Sequence, residues 1–220
     1  MSEQGWICGY CGQRIAADSS HIEHFRPQGP NLFPQFQLQY DNLFASCQRE
    51  TQPGEPLDCG KLKDDWFDPL LLIAPLQPDC ELRFQFTADG GIHPAQAPIS
   101  ANLFKEVSVF LCILRIVRIC FQGKSLTLRE HCWTTTHKLA LMAQAPDTAA
   151  TETRQHLGLD ISKLRRLREG AIDAVINDLP SLTDEDLRTL TVALMQRDPA
   201  GTFPEFCLPV VFVLRGLLPP

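Results

Sequence analysis

Four cysteines and one short histidine–acid segment carry the chemistry this sequence can offer. Cys8-Gly-Tyr-Cys11 is a CxxC, and its glycine lets two thiolates approach one ion. Cys47 and Cys59 lie beside loop-forming sequence and supply a second pair. Together they predict a tetrahedral zinc site with Zn–S of about 2.3 Å. The span from Cys8 to Cys59 has little continuous apolar sequence and needs such a staple. The rival uses of these cysteines are redox chemistry at Cys8 and Cys11, which no surrounding βαβ pattern supports, and plain burial as reduced thiols. Cys80, Cys112, Cys120, Cys132 and Cys207 have no partner spacing and read as small buried hydrophobes.

Between the cysteine pairs lies His21-Ile-Glu-His-Phe-Arg-Pro27. A neutral imidazole can take a proton from water near pH 7. A carboxylate can hold a hard dication that neutralises charge on a phosphate and on the departing oxygen. Adjacent Glu23 and His24 therefore suit phosphodiester cleavage, and Arg26 could pair with a phosphate oxygen. An alternative zinc set is Cys8, Cys11, His21 and His24. Its two histidines are separated by two residues, tighter than the usual three to five, and it strands Cys47 and Cys59.

The order of these motifs resembles the HNH nuclease superfamily and its ββα-metal site. The denser likeness is to the HNH component of Septu-type anti-phage defence systems, including those associated with retrons. It rests on Cys8-Gly-Tyr-Cys11, Ile22-Glu-His-Phe-Arg-Pro27, Asn42-Leu-Phe-Ala-Ser-Cys47, Cys59-Gly-Lys-Leu-Lys63 and Phe67-Asp68. It is weaker at Leu157-Gly-Leu-Asp160 and around Gly201 to Cys207, and absent from 99–146. The resemblance implies His24 as general base and Glu23 as ligand of a catalytic Mg2+ or Mn2+. It implies that Asn42 holds the loop of the site, and that Lys63 contacts phosphate or secures the motif's helix. Lys61 joins Arg26 and Lys63 as a nucleic-acid contact. The implied partners are DNA or RNA as substrate, an SMC-like or ABC-type ATPase, and in retron versions a reverse transcriptase with its RNA–DNA product. One departure matters. Such sites place His or Asn just after the last zinc cysteine, where Gly60 and Lys61 stand here. Asp58, Asp64, Asp65 and Asp68 are the candidates for the missing ligand; the alternative is a weakened nuclease, or a zinc-stabilised module that binds without cutting.

The elements that must position these residues follow from the rest of the chain. Its 220 residues are 44% apolar and 21% charged, an ordinary globular balance with no room for collagen, coiled-coil rods or wholesale disorder. The net charge of −6 excludes a generic polycation. Residues 1–68 hold 5 basic and 10 acidic groups, net −5, so this region should bind duplex poorly without a partner. Residues 99–146 hold 6 and 2, net +4, and Ala-Gln-Ala-Pro occurs at both Ala95–Pro98 and Ala143–Pro146. These features predict an inserted, helical 99–146 between an HNH unit at 1–98 and a helical, partner-docking region at 147–220. The apolar stretch Val107–Phe121 contains Arg115 and Arg118 and is too short to span a bilayer. Met1 to Trp6 shows no signal-peptide pattern, and a cytoplasmic location is expected. Leu82–Phe86 alternates as a strand before the Asp89-Gly-Gly91 turn. Leu164, Leu167, Ala171 and Val175 form a helical stripe after Ser162, a candidate N-cap. Leu187, Leu190 and Leu194 form another after Thr183, and Phe206–Leu218 a last apolar run. The expected fold is α+β, a zinc-stapled ββα-metal unit followed by helices.

Overall fold

Strand β1, Ser20–His24, pairs antiparallel with β2, Leu43–Cys47, in a register that sets His21 opposite Ser46 and Glu23 opposite Phe44. These strands belong to a computed structural model that describes residues 1–29, 32–95, 147–177 and 182–219. A short helix, α1 (Cys59–Lys63), packs on β2, where the Gly60 N–H donates to Ser46 Oγ at 3.1 Å. Both ends of α1 have positive φ at non-glycine residues, 50° at Cys59 and 47° at Asp64. Such backbone is costly for a residue with a Cβ and needs ties from elsewhere. One is the Cys59 N–H, which donates to the Leu157 carbonyl at 2.8 Å.

A second hairpin joins β3 (Phe84–Phe86) to β4 (Ile92–Pro94). Its turn is closed by Gly90 and Gly91, and Gly90 has φ +73° with the Arg165 carbonyl beside it; a Cβ there would lie 2.0 Å from that oxygen. The strand is shorter than the alternation over Leu82–Phe86 suggests. Cys80–Arg83 forms a 3-10 turn instead, with the Leu82 N–H bonded to the Asp79 carbonyl.

Four helices follow: α2 (Thr148–His156), α3 (Ser162–Ile176), α4 (Asp184–Leu194) and α5 (Cys207–Leu217). Thr183 caps α4 in a capping box with Asp186, whose N–H it accepts at 3.2 Å. Ser162 is the first residue of α3, and its cap is Ile161, which offers no side-chain bond. The buried line of α3 is Leu164, Arg168 and Ile172, while Leu167 is partly exposed. Arg168 can occupy a core position because its guanidinium donates to the Gly90 and Leu159 carbonyls at 2.6 and 2.8 Å and lies 3.6 Å from Asp160.

The described fold is thus mixed α+β, with two small two-stranded sheets. One core gathers the cysteines with Ile15, Leu72, Ile92, Leu157, Leu159 and Leu164. A second gathers Ile172, Leu187, Val210 and Leu214 where α3, α4 and α5 meet. Because Leu157, Leu159 and Leu164 belong to the first core, the segment between α2 and α3 and the start of α3 are built into the cysteine-bearing region. Met1–Pro94 and Thr148–Pro220 form one unit, and Ala95–Asp147 separates as another. Of the latter only the two ends are described: the Asp147 N–H donates to the Ala95 carbonyl at 3.0 Å. The expected 99–146 insertion and the Val107–Phe121 stretch lie outside the described residues. Among the described residues no helix is long and apolar enough to cross a membrane.

Candidate metal centre and the histidine–acid site

The chain turns back on itself around Cys8 to Cys11: Ile7 bridges to Arg14, the Cys8 N–H donates to the Gln13 carbonyl at 2.7 Å, and the Gly12 N–H to the Cys8 carbonyl at 3.1 Å. This brings two sulfurs toward the end of β2 and the start of α1. The sulfurs of Cys8, Cys11, Cys47 and Cys59 all lie within 4.8 Å of one another. A tetrahedral ion with Zn–S of about 2.3 Å holds its sulfurs roughly 3.8 Å apart. The Cys11 and Cys47 sulfurs are 3.8 Å apart. The Cys47 N–H points at Cys8 Sγ at 3.4 Å, a donor that suits thiolate character.

The donor set also needs a cation. Burial pushes the Cys59 thiol up, and hydrogen bonding to Cys11 keeps Cys47 protonated. Cys8 is also buried, which opposes ionisation, but the three other thiols donate to it and lower it. A bound dication would favour ionisation of these buried thiols. The cluster could therefore hold a metal ion, and its four-sulfur donor set suits zinc. Asp58, fully buried, lies 3.3 Å from Cys47 Sγ, and its other oxygen pairs with Lys163 Nζ from α3 at 3.3 Å.

Side chains alternate along a strand, so His21 and Glu23 share one face of β1 while Ile22 and His24 share the other. The exposures agree: Glu23 is 7% exposed and Ile22 71%. The adjacent pair Glu23–His24 therefore diverges. On its face Glu23 meets α1 and Tyr10. Its Oε1 pairs with Lys63 Nζ at 2.9 Å and accepts from Tyr10 Oη at 3.3 Å. Its Oε2 lies 3.5 Å from His21 Nε2. Burial opposes its ionisation, but the His21 contact and the Lys63 charge outweigh burial and hold the carboxyl below its usual range.

Lys63 is 2% exposed and also donates to the His24 and Asp64 carbonyls at 3.0 and 3.3 Å. Its ammonium is thus committed inside the protein, tying α1 to β1, and is not presented to solvent where a phosphate would meet it. Lys61 is exposed on the same helix. Arg26 lies with its guanidinium carbon 4.2 Å from the centre of the Phe36 ring.

On the other face His24 is partly exposed, and its Nε2 lies 3.0 Å from the Gln37 carbonyl. A carbonyl only accepts, so Nε2 carries the proton and a neutral ring keeps its lone pair at Nδ1. Asn42, 5% exposed, holds the loop that bears Gln37. Its Oδ1 accepts from the Arg26 N–H at 2.8 Å; its Nδ2 donates to the Arg26 and Phe36 carbonyls at 3.0 and 3.2 Å.

The carboxylates that sequence reasoning offered as further ligands are engaged elsewhere or exposed. Asp58 belongs to the cysteine cluster, Asp68 accepts from the Leu70 and Leu71 N–H groups, and Asp64 and Asp65 are exposed. Among the described residues the four cysteines are the only group of three or more metal-type donors. Beside Glu23 the space is bounded by Gly60, where a Cβ would lie 2.4 Å from Oε2 and 2.8 Å from His21 Nε2. Only a glycine at this position lets the Glu23 carboxylate and the His21 ring pack against α1. Sequence reasoning missed Gln37, which acts through its backbone, and the pairing of His21 with Glu23, which the period of a strand would have disclosed. No protein-family model matches the chain, and no curated protein does.

Proposed function

We propose that this chain is a metal-dependent endonuclease of the HNH type, cleaving phosphodiester bonds of DNA or RNA as the effector of an anti-phage defence complex. The observation that carries the reading is the His24 ring. Its Nε2–H is anchored on the Gln37 carbonyl at 3.0 Å, which leaves Nδ1 as an oriented base on an accessible face. Asn42 fixes the loop carrying that carbonyl and so acts as a positioning residue. In the reaction a water oxygen attacks phosphorus, its proton passes to His24 Nδ1, and the phosphorus–oxygen bond to the departing sugar oxygen breaks. The resemblance gives Glu23 a dication that would neutralise charge on the phosphate, although strand alternation turns Glu23 to the face of β1 opposite His24, which counts against joint action of the two on one phosphate. The sequence motifs that resemble the HNH component of Septu-type and retron-associated systems support the same reading and suggest an ATPase partner. So does the shortage of free cations here: Lys63 is internal, and residues 1–68 are net −5.

A second reading has its own observation. The Glu23 carboxylate already has a counter-charge in Lys63, which favours a zinc-stabilised module that binds nucleic acid or the ATPase without cutting. Nicking of supercoiled plasmid with Mg2+ or Mn2+, with and without the co-expressed ATPase, separates the two. Wild type should nick, and His24→Ala should lose roughly 100- to 10,000-fold, the usual worth of a general base. Asn42→Ala should fall as well while retaining its zinc. Equal rates for wild type and His24→Ala would end the assignment of the base.

A further inference from the structure

In the resembling sites the helix after the last zinc cysteine supplies a second cation ligand, and here that position is Gly60. The imidazole that stands beside Glu23 Oε2 is instead on its own strand. His21, two residues earlier on the same face of β1, brings Nε2 to 3.5 Å from Glu23 Oε2. At that distance the contact is a poor hydrogen bond. The other ring nitrogen, Nδ1, is buried with no hydrogen-bond partner. The ring's polar contact lies at Nε2, and one long contact is little for a half-buried imidazole.

A cation fits that geometry. With metal–nitrogen and metal–oxygen bonds of about 2.0–2.2 Å, two neighbouring ligand atoms stand roughly 3.0–3.5 Å apart. Gly60 is what lets the pair pack here, since any Cβ there would collide with both ligand atoms. Lys63 pairs with the opposite oxygen, Oε1, and His21 Nε2 stands beside Oε2.

We propose, building on the nuclease reading, that His21 Nε2 and Glu23 Oε2 form a two-residue site for a transition-metal dication, Mn2+ or Co2+ in preference to Mg2+. One imidazole with one carboxylate suits these ions, whereas Mg2+ favours all-oxygen surroundings and sheds its water reluctantly. The Lys63 ammonium, on the other oxygen of the same carboxylate, penalises an ion held by charge alone and gives weight to the imidazole. The glycine after Cys59 is then compensated: the ligand lost from the helix is replaced from the strand.

The test is Mn2+ binding to the zinc-loaded full chain, followed by electron paramagnetic resonance with echo-modulation detection of coupled 14N. Wild type should bind one Mn2+ and show nitrogen from a directly bound imidazole. His21→Ala and His21→Gln should lose that nitrogen signal and weaken Mn2+ by at least the roughly 10- to 100-fold that even an outer partner is worth. The glutamine can still hydrogen-bond Glu23, so its failure to restore the signal separates ligation from a merely structural contact. Zinc content and melting temperature show that each variant is folded. His24→Ala should keep both signal and affinity. A wild-type spectrum without coupled nitrogen, or one that only His24→Ala abolishes, overturns the site while leaving His24-dependent nicking to stand. Nitrogen-ligated Mn2+ lost only in the His21 variants, with no nicking under any condition, keeps the site and removes the nuclease reading.

Discussion

Replacing Lys63 by methionine removes a buried charge while keeping much of the stem's volume. The ammonium is 2% exposed and serves three acceptors: Glu23 Oε1 at 2.9 Å, the His24 carbonyl at 3.0 Å and the Asp64 carbonyl at 3.3 Å. Its loss leaves Glu23, 7% exposed, with only the Tyr10 hydroxyl and the long His21 contact. Stranding one partner of a buried pair costs about 3–5 kcal/mol. At about 2–4 °C per kcal/mol for a chain of this size, the melting temperature should fall by roughly 6–20 °C. The companion variant is Lys63→Met with Glu23→Gln, which leaves no uncompensated charge. It should recover about 1 kcal/mol or more, because the two sites are in contact and their effects do not add. The assay is urea unfolding of the zinc-loaded chain followed by circular dichroism, with zinc content checked for each variant. A single variant that unfolds at the wild-type midpoint, or a double variant whose loss equals the sum of the two singles, would refute the claim that Lys63 is held as the internal counter-charge of Glu23.

Two more outcomes follow from the cysteine cluster and its surroundings. Purified protein should carry one zinc per chain; chelation should free four further thiols to a titrant and sharply lower the melting temperature, and an unchanged melt without zinc would remove the staple. Glu55, hydrogen-bonded to Lys163, has its pKa lowered to about 2. A carboxyl lowered on folding contributes stability above its unfolded value of about 4.3, and loses it as pH falls toward the folded value. The stability gap between wild type and Glu55→Gln should therefore be full at pH 7 and shrink as pH falls from about 5. A gap that widens with acid would contradict the Lys163 contact.

Local chemistry is legible along a sequence because it depends on residue type and short spacing. The CxxC, the two later cysteines, the Thr183 cap with its following acids and the segment around Glu23 and His24 are of this kind. Even there the local pattern has bounds. Leu82–Phe86 alternates like a strand, yet its first half turns, because the Asp79 carbonyl offers the Leu82 N–H a nearer partner than a second strand does. The stripe through Leu167 shifts to Arg168, because the carbonyls of Gly90 and Leu159 satisfy a guanidinium that composition alone would send to solvent.

What the sequence determined by itself is the inventory: four thiols, an imidazole beside an acid, an asparagine in a loop and a glycine where a ligand is expected. What the tertiary structure decided is direction. Strand alternation turns Glu23 and His24 to opposite faces, so that the acid meets Lys63, Tyr10 and His21 while the imidazole meets the carbonyl of Gln37. Backbone carbonyls are the same in every residue and leave no mark in composition, and a lysine's burial depends on which acid the fold brings to it. The physical reason is that charge and hydrogen bonding act over a few ångströms in space, and only chain folding brings residues 23 and 63, or 24 and 37, that close.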